Sequence, residues 1–170
     1  MKVSEFKLSG DRVFTSSRKA ISRLHDNGGY GKVQDGKLFL SLLEAAYLVE
    51  KGRIKVTDNE RELSVEELME LGRRRDDCFD VKYITYRDLR NRGYVVKSGL
   101  KFGSHFRVYR GRTDEHSQWL VWVVPENTKM SPNDITARVR VAHGVKKAMV
   151  MAVVDEDGDV TYYEVKWVRL

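Results

Sequence analysis

The feature that most constrains the fold is a change of character half-way along the chain. The runs YVVKSGLKFGSHFRVYRGR, SQWLVWVVPE, KAMVMAVVD and VTYYEVKWVRL are β-branched and aromatic, a composition that suits a pleated, half-buried surface. One helical segment lies among them, SPNDITARVRVAHGV. Ser131 caps it, Pro132 fits its first turn, Asp134 meets the positive end of its dipole and Gly144 ends it. The first half alternates faster. KVSEFKLSGDRVFTS reads as a hairpin around Gly10-Asp11, SSRKAISRLHDNGG as a short helix stopped by Gly28, and GKVQDGKLFLS as a second hairpin around Asp35-Gly36. Two capping boxes follow, Ser41 with Glu44 and Ser64 with Glu67, with the strand GRIKVTD between their helices. The second helical pattern runs on through VKYITYRDLRNRGY to Gly93. The expected class is therefore α+β: two small mixed α/β domains, residues 1–80 and 81–170, with a hinge near residues 78–82. The second is a mixed sheet with flanking helices.

Composition narrows the function classes. Of the 170 residues, 41% are hydrophobic and 33% charged, which fits a globular chain and not a disordered one. The longest uninterrupted apolar run, Ala148 to Val154, is too short to span a bilayer, and the first ten residues lack a signal-peptide core, so a cytoplasmic location is expected. The single Cys78 excludes an internal disulfide framework and a multi-thiolate metal site; it is expected to be a small buried hydrophobe. The net charge of +6 belongs entirely to the second half, where residues 82–170 hold 16 Lys and Arg against 10 Asp and Glu. A basic domain beside a neutral one points to an anionic partner, of which nucleic acid is the commonest.

No phosphate-cradling GxxxxGK[ST], dinucleotide GxGxxG or zinc HExxH motif occurs. His25, His105, His116 and His143 are dispersed, so no cofactor and no metal is expected. Two nuclease chemistries remain. Pro125-Glu126 with Glu164-Val-Lys166 offers two carboxylates and a lysine for a divalent ion beside a phosphodiester, although a helix and a strand separate the two parts. The metal-free alternative uses Tyr109, His116 and Lys147. RNA carries its own nucleophile, the 2′-hydroxyl, so an enzyme needs only a base, an acid for the leaving 5′-oxygen and a cation for the pentavalent phosphate. Imidazoles titrate near neutrality and suit the acid; a lysine held at the start of a buried strand suits the cation; a phenol suits the base only if its surroundings assist. Each residue also has a plain structural reading: packing at a strand end for Tyr109, a solvated loop after Asp114-Glu115 for His116, and a strand edge for Lys147. Spacing alone does not select these three.

A resemblance does. YRDLRNRGYVVKSGLKFGSHFRVYRG, EHSQWLVWVVPE and RVRVAHGVKKAMVMAVVDEDGDVTYY resemble, in order and spacing, the C-terminal catalytic domain of the archaeal tRNA-splicing endonucleases, a fold related to restriction endonucleases. FLSLLEAAYLVEKGRI and LSVEELMELG resemble the N-terminal domain of the short, single-copy members. The resemblance implies that Tyr109, His116 and Lys147 are general base, general acid and transition-state cation. It implies cleavage of precursor tRNA at both exon-intron junctions, within a bulge-helix-bulge, to 2′,3′-cyclic phosphate and 5′-hydroxyl ends. Arg140 matches the arginine that clamps a bulge base by cation–π contact, with Trp167 or Arg169 as its possible counterpart. A chain with one triad implies a homotetramer, in which the acidic loop Asp155, Glu156, Asp157, Asp159 docks on a neighbouring subunit. A non-catalytic, RNA-binding subunit of a heteromeric enzyme is the competing reading. His105 is not expected from the family; it reads as exposed or as a minor RNA contact. Asp80, Tyr83 and Tyr86 read as domain packing in preference to RNA contacts.

Overall fold

The computed structural model describes residues 2–112 and 116–170, and the chain divides into two compact units, residues 1–83 and 84–170. The first unit opens with the hairpin β1 (Ser4–Ser9) and β2 (Arg12–Thr15), followed by α1 (Arg18–Ala20), which widens into a π-helical turn over Ile21–Asp26. The second hairpin is β3 (Lys32–Gln34) with β4 (Lys37–Ser41), turning at Asp35-Gly36, where both residues take positive φ. Then come α2 (Leu42–Glu50), β5 (Ile54–Asp58), β6 (Arg61–Leu63) and α3 (Val65–Arg73). Both expected capping boxes form: Ser41 Oγ accepts from the Glu44 N–H, and Ser64 Oγ from that of Glu67. The six strands make one sheet in the order β3-β4-β2-β1-β5-β6, with only β1 and β5 parallel. Phe6, Val13, Leu38, Leu40, Leu48, Val56 and Leu68 form its core.

α4 (Phe79–Asn91) is separate from α3, so the continuous helical pattern is interrupted. The break has a local cause. Asp76 Oδ1 accepts from the N–H of Cys78 at 2.9 Å, a turn that diverts the backbone before α4 begins. Cys78 is exposed in this turn and not buried as expected, because Phe79 takes the inward position, lying against the backbone of Gly72. Asp80 pairs with Arg73 at 2.9 Å, Tyr83 donates to Glu50 at 2.9 Å and Tyr86 is buried against Phe106, so all three serve packing.

The second unit is a five-stranded sheet in the order β11-β10-β9-β8-β7. Its strands are β7 (Val95–Ser98), β8 (Phe106–Tyr109), β9 (Trp119–Pro125), β10 (Ala148–Val154) and β11 (Val160–Val165), with a single 3₁₀ turn, Leu100–Phe102, between the first two. Only β9 and β10 run parallel, and α5 (Pro132–Gly144) makes the crossover between them. Alternation sorts the side chains. Leu120, Trp122, Val124 and Met149 face Val139 and Ala142 of α5, while Phe106 lies on the other face against Tyr86 of α4. Across the sheet, Tyr162 of β11 donates to Asp88 of α4 at 2.6 Å, and Arg92 shares that carboxylate at 2.8 Å.

His105 is half-buried, not an exposed loop residue. Its Nδ1 accepts from the N–H of Val123 at 2.9 Å, so the ring fills a place on the β9 ladder immediately before β8 begins. Among the described residues no helix is long and apolar enough to cross a membrane.

Candidate active site

The end of α5 sets the position of Lys147. Gly144 is still helical; the residue that takes the left-handed conformation is Lys146, with φ 57°. The N–H of Lys146 donates to the carbonyl of His143 at 3.1 Å and that of Lys147 to Ala142 at 2.9 Å. These two bonds close the helix in the Schellman manner, with a lysine where glycine is usual. Lys147 is therefore pinned by its backbone one residue before β10. Its side chain is pinned too, since Nζ donates to the carbonyl of Ser117 at 3.0 Å.

That carbonyl belongs to the residue after His116. The next residue, Gln118, ties the neighbouring strands together through its backbone: its N–H donates to Val108 at 2.9 Å and its carbonyl accepts from Ala148 at 3.1 Å. Val108 precedes Tyr109, the last residue of β8, and Ala148 follows Lys147. The structure thus brings the chain positions of Tyr109, His116 and Lys147 to the same end of three adjacent strands. Tyr109 is half-buried at its strand end and His116 is exposed. The Asp114-Glu115 step before His116 lies outside the described residues.

Sidedness agrees with this grouping. Arg107 pairs with Leu120, and Leu120 with Met149, so all three point to the α5 face. Tyr109 follows Arg107 by two residues and shares its face. Lys147 is two residues before Met149. Burial, and then the nearby Arg107 and Lys101, lower the pKa of the Lys147 ammonium below the usual lysine value. Tyr162 shows the opposite tuning: burial and its bond to Asp88 raise its phenol well above the usual range, so it stays a donor. Phe102, whose ring centroid is 5.8 Å from Lys147 Nζ, is a neighbour that sequence reasoning did not single out.

Arg140 is exposed on α5, one turn before His143. Trp167 is half-exposed and its ring lies 4.9 Å from that of His143, so it sits over the helix face that Arg140 shares at i,i+3 spacing. Arg169 is exposed in the C-terminal tail.

The carboxylate set comes apart. The N–H of Glu126 bonds Val154 at the far end of β10, whereas Glu164 pairs with Val150, roughly 13 Å of strand away at ~3.3 Å per residue. Glu164 is instead paired with Lys166 at 3.4 Å, and Glu126 accepts from the N–H of Glu156 at 3.3 Å. Among the described residues no group of three or more His, Cys, Asp or Glu converges as a metal site would require.

Comparison with known proteins decides what this arrangement belongs to. The tRNA intron endonuclease catalytic C-terminal domain matches residues 79–162, and the N-terminal domain of the same family matches residues 4–69. The chain belongs to the tRNA intron endonuclease family. Tyr109, His116, Arg140 and Lys147 all fall within the part that matches the family's catalytic domain, and Trp167 lies beyond it. Proteins named tRNA-splicing endonuclease from Thermococcus gammatolerans and Pyrococcus abyssi are 69% and 64% identical to this chain. The first match covers 96% of this chain and 98% of the relative, the second 99% and 98%. A more distant tRNA-splicing endonuclease, from Methanothermobacter thermautotrophicus, is 46% identical over 94% of this chain and 95% of its own length.

Proposed function

We propose that this endonuclease cuts precursor tRNA at both exon-intron junctions, in a bulge-helix-bulge, without a metal. The observation that carries the reading is the bond from Lys147 Nζ to the carbonyl of Ser117, which holds a cation beside His116 at the strand ends where Tyr109 also lies. Tyr109, as its phenolate, removes the proton of the 2′-hydroxyl. The 2′-oxygen attacks the adjacent phosphorus, and the bond from phosphorus to the 5′-oxygen breaks. His116, as imidazolium, gives its proton to that leaving oxygen. Lys147 faces the extra negative charge on the pentavalent phosphoryl, where a fixed cation needs no reorganisation. The products are a 2′,3′-cyclic phosphate and a 5′-hydroxyl, and the atoms balance without a cofactor.

Two cuts per substrate need two sites at fixed separation, which a homotetramer supplies. The loop from Asp155 to Asp159 suits docking on a second copy. Its shape is held by bonds from the Asp155 N–H to Asp159 O at 3.0 Å and from the Asp159 N–H to Asp155 Oδ1 at 2.9 Å, leaving Glu156, Asp157 and Asp159 exposed. Arg140 and Trp167 would clamp an unstacked bulge base, consistent with the way RNA is read when grooves hide the base edges. The reaction takes place in the cytoplasm, with the precursor tRNA.

The test is incubation of the purified chain with a bulge-helix-bulge precursor tRNA in excess chelator, with the product ends identified. Cyclic phosphate and 5′-hydroxyl ends are expected. Cleavage that requires magnesium and leaves 5′-phosphate ends would return the site to Glu126, Glu164 and Lys166. No cleavage under either condition would leave an RNA-binding subunit.

A further inference from the structure

Two lysines, Lys101 and Lys147, meet over the ring of Phe102 with Arg107 near Lys147, and among the described residues no ion pair joins any of the three to a carboxylate. Lys101 Nζ lies 4.9 Å and Lys147 Nζ 5.8 Å from the centroid of that ring. Phe102 packs against the core of Leu120 and Met149, so it is a fixed apolar wall for both ammonium groups. Arg107 points from β8 to the same sheet face, and its Nε donates to the neutral carbonyl of Ser98 at 2.8 Å. Its guanidinium and the Lys101 ammonium lie close enough to Lys147 to depress its protonation.

Converging like charges repel, and partial burial strengthens the repulsion because water screens it less. Such a cluster is costly in the free protein and favourable once an anion enters it. One phosphoryl group occupies Lys147 during the reaction. Lys101, beside Phe102, and Arg107, on the sheet face that Tyr109 shares, then remain near it.

We infer that Lys101 and Arg107 hold a second backbone phosphate of the RNA, adjacent to the one that is cut, and so set the register in which the scissile phosphate meets Lys147. The inference rests on the reading that this chain cuts RNA. It gives the two residues a positioning role, distinct from that of the triad. A bound phosphate would also offset the repulsion on Lys147 and keep its ammonium charged when the transition state forms.

The test uses the full chain and a precursor tRNA carrying 2′-deoxyriboses at both cleavage sites, which lacks the nucleophiles and cannot be cut. Affinity is measured from low to moderate salt for wild type, for the double variant Lys101→Gln, Arg107→Gln, and for the charge-conserving Lys101→Arg, Arg107→Lys. The neutral variant is expected to bind about tenfold more weakly at low salt, with a slope of log affinity against log salt shallower by about 1, as loss of one phosphate contact predicts. The charge-conserving variant keeps the wild-type slope. An unchanged slope in the neutral variant overturns the inference, as does an equal loss in the charge-conserving one. Wild-type cutting of the all-ribose precursor is scored separately. If that fails, the cleavage reading falls, while the slopes on uncleavable RNA still decide the phosphate contact.

Discussion

The ammonium of Lys147 donates to the backbone carbonyl of Ser117, the residue that follows His116, at 3.0 Å. Together with the bond from its own N–H to Ala142 at 2.9 Å, this fixes the side chain at both ends. Lys147→Met is expected to lower single-turnover cleavage about 10²- to 10³-fold, the usual effect of removing one preorganised group facing transition-state charge.

The same substitution has a stability signature. The Lys147 pKa is lowered on folding, chiefly by burial, so the unfolded chain holds that proton more tightly. Charged Lys147 therefore costs stability in full below its folded pKa, and the cost is relieved as the pH rises from that value towards the ordinary lysine value of the unfolded chain. Thermal melts of wild type and Lys147→Met should differ by a few degrees at most at neutral pH, since losing one hydrogen bond, about 1 kcal/mol, opposes the relief of burial. The difference should move in favour of wild type as the pH approaches about 10.4, the ordinary lysine value. A difference that is flat with pH would contradict the sign.

Lys146 occupies a left-handed backbone position, φ 57°, with an exposed side chain. An L-residue pays roughly 1–2 kcal/mol there and glycine does not. Lys146→Gly should raise the unfolding free energy by about 1 kcal/mol in urea titration, with cleavage retained.

The acidic turn separates charge from shape. Asp155 Oδ1 closes the turn, whereas Asp157 and Asp159 are exposed and, among the described residues, their carboxylates close no part of it. Asp157→Asn with Asp159→Asn should leave the thermal melt of the fold intact and split the proposed tetramer into dimers by light scattering; a tetramer that persists in the variant would refute the docking role.

His105→Ala should cost about 1–3 kcal/mol, because it leaves the N–H of Val123 without its partner inside the sheet. Denaturant unfolding checks this, and the RNA affinity of the folded variant should match wild type, as a purely structural role requires.

Much of this was legible in the sequence because the signals were local. The hairpins at Gly10-Asp11 and Asp35-Gly36, the boxes at Ser41 and Ser64 and the cap at Ser131 each depend on residues a few positions apart, and all of them form. β6, three residues with a charged pair, is too short to show a period. The break between α3 and α4 was hidden because helix-favouring Arg73, Arg74 and Arg75 lead straight into a turn set by the Asp76 side chain. α5 does end at Gly144, as its sequence suggests, but the left-handed residue that closes the helix is Lys146, two positions later, which the backbone bonds of residues 146 and 147 fix and residue type does not mark. The grouping of Tyr109, His116 and Lys147 was visible only through resemblance. Its physical basis is the backbone of Gln118, and a backbone bond leaves no mark on residue type. The cations around Phe102 were illegible for a related reason: which face of β8 carries Arg107 follows from register with β9.

The bond from Lys147 to Ser117 spans 30 residues and can form only after α5 has carried the chain back to lay β10 beside β9. Non-local parallel pairing of this kind is among the slower steps of folding. A chain still being synthesised therefore has its tyrosine and histidine before it has a positioned lysine. On the proposed mechanism, catalytic competence would arrive only with closure of the sheet, so a nascent copy that has not yet paired β10 with β9 is expected not to cut RNA.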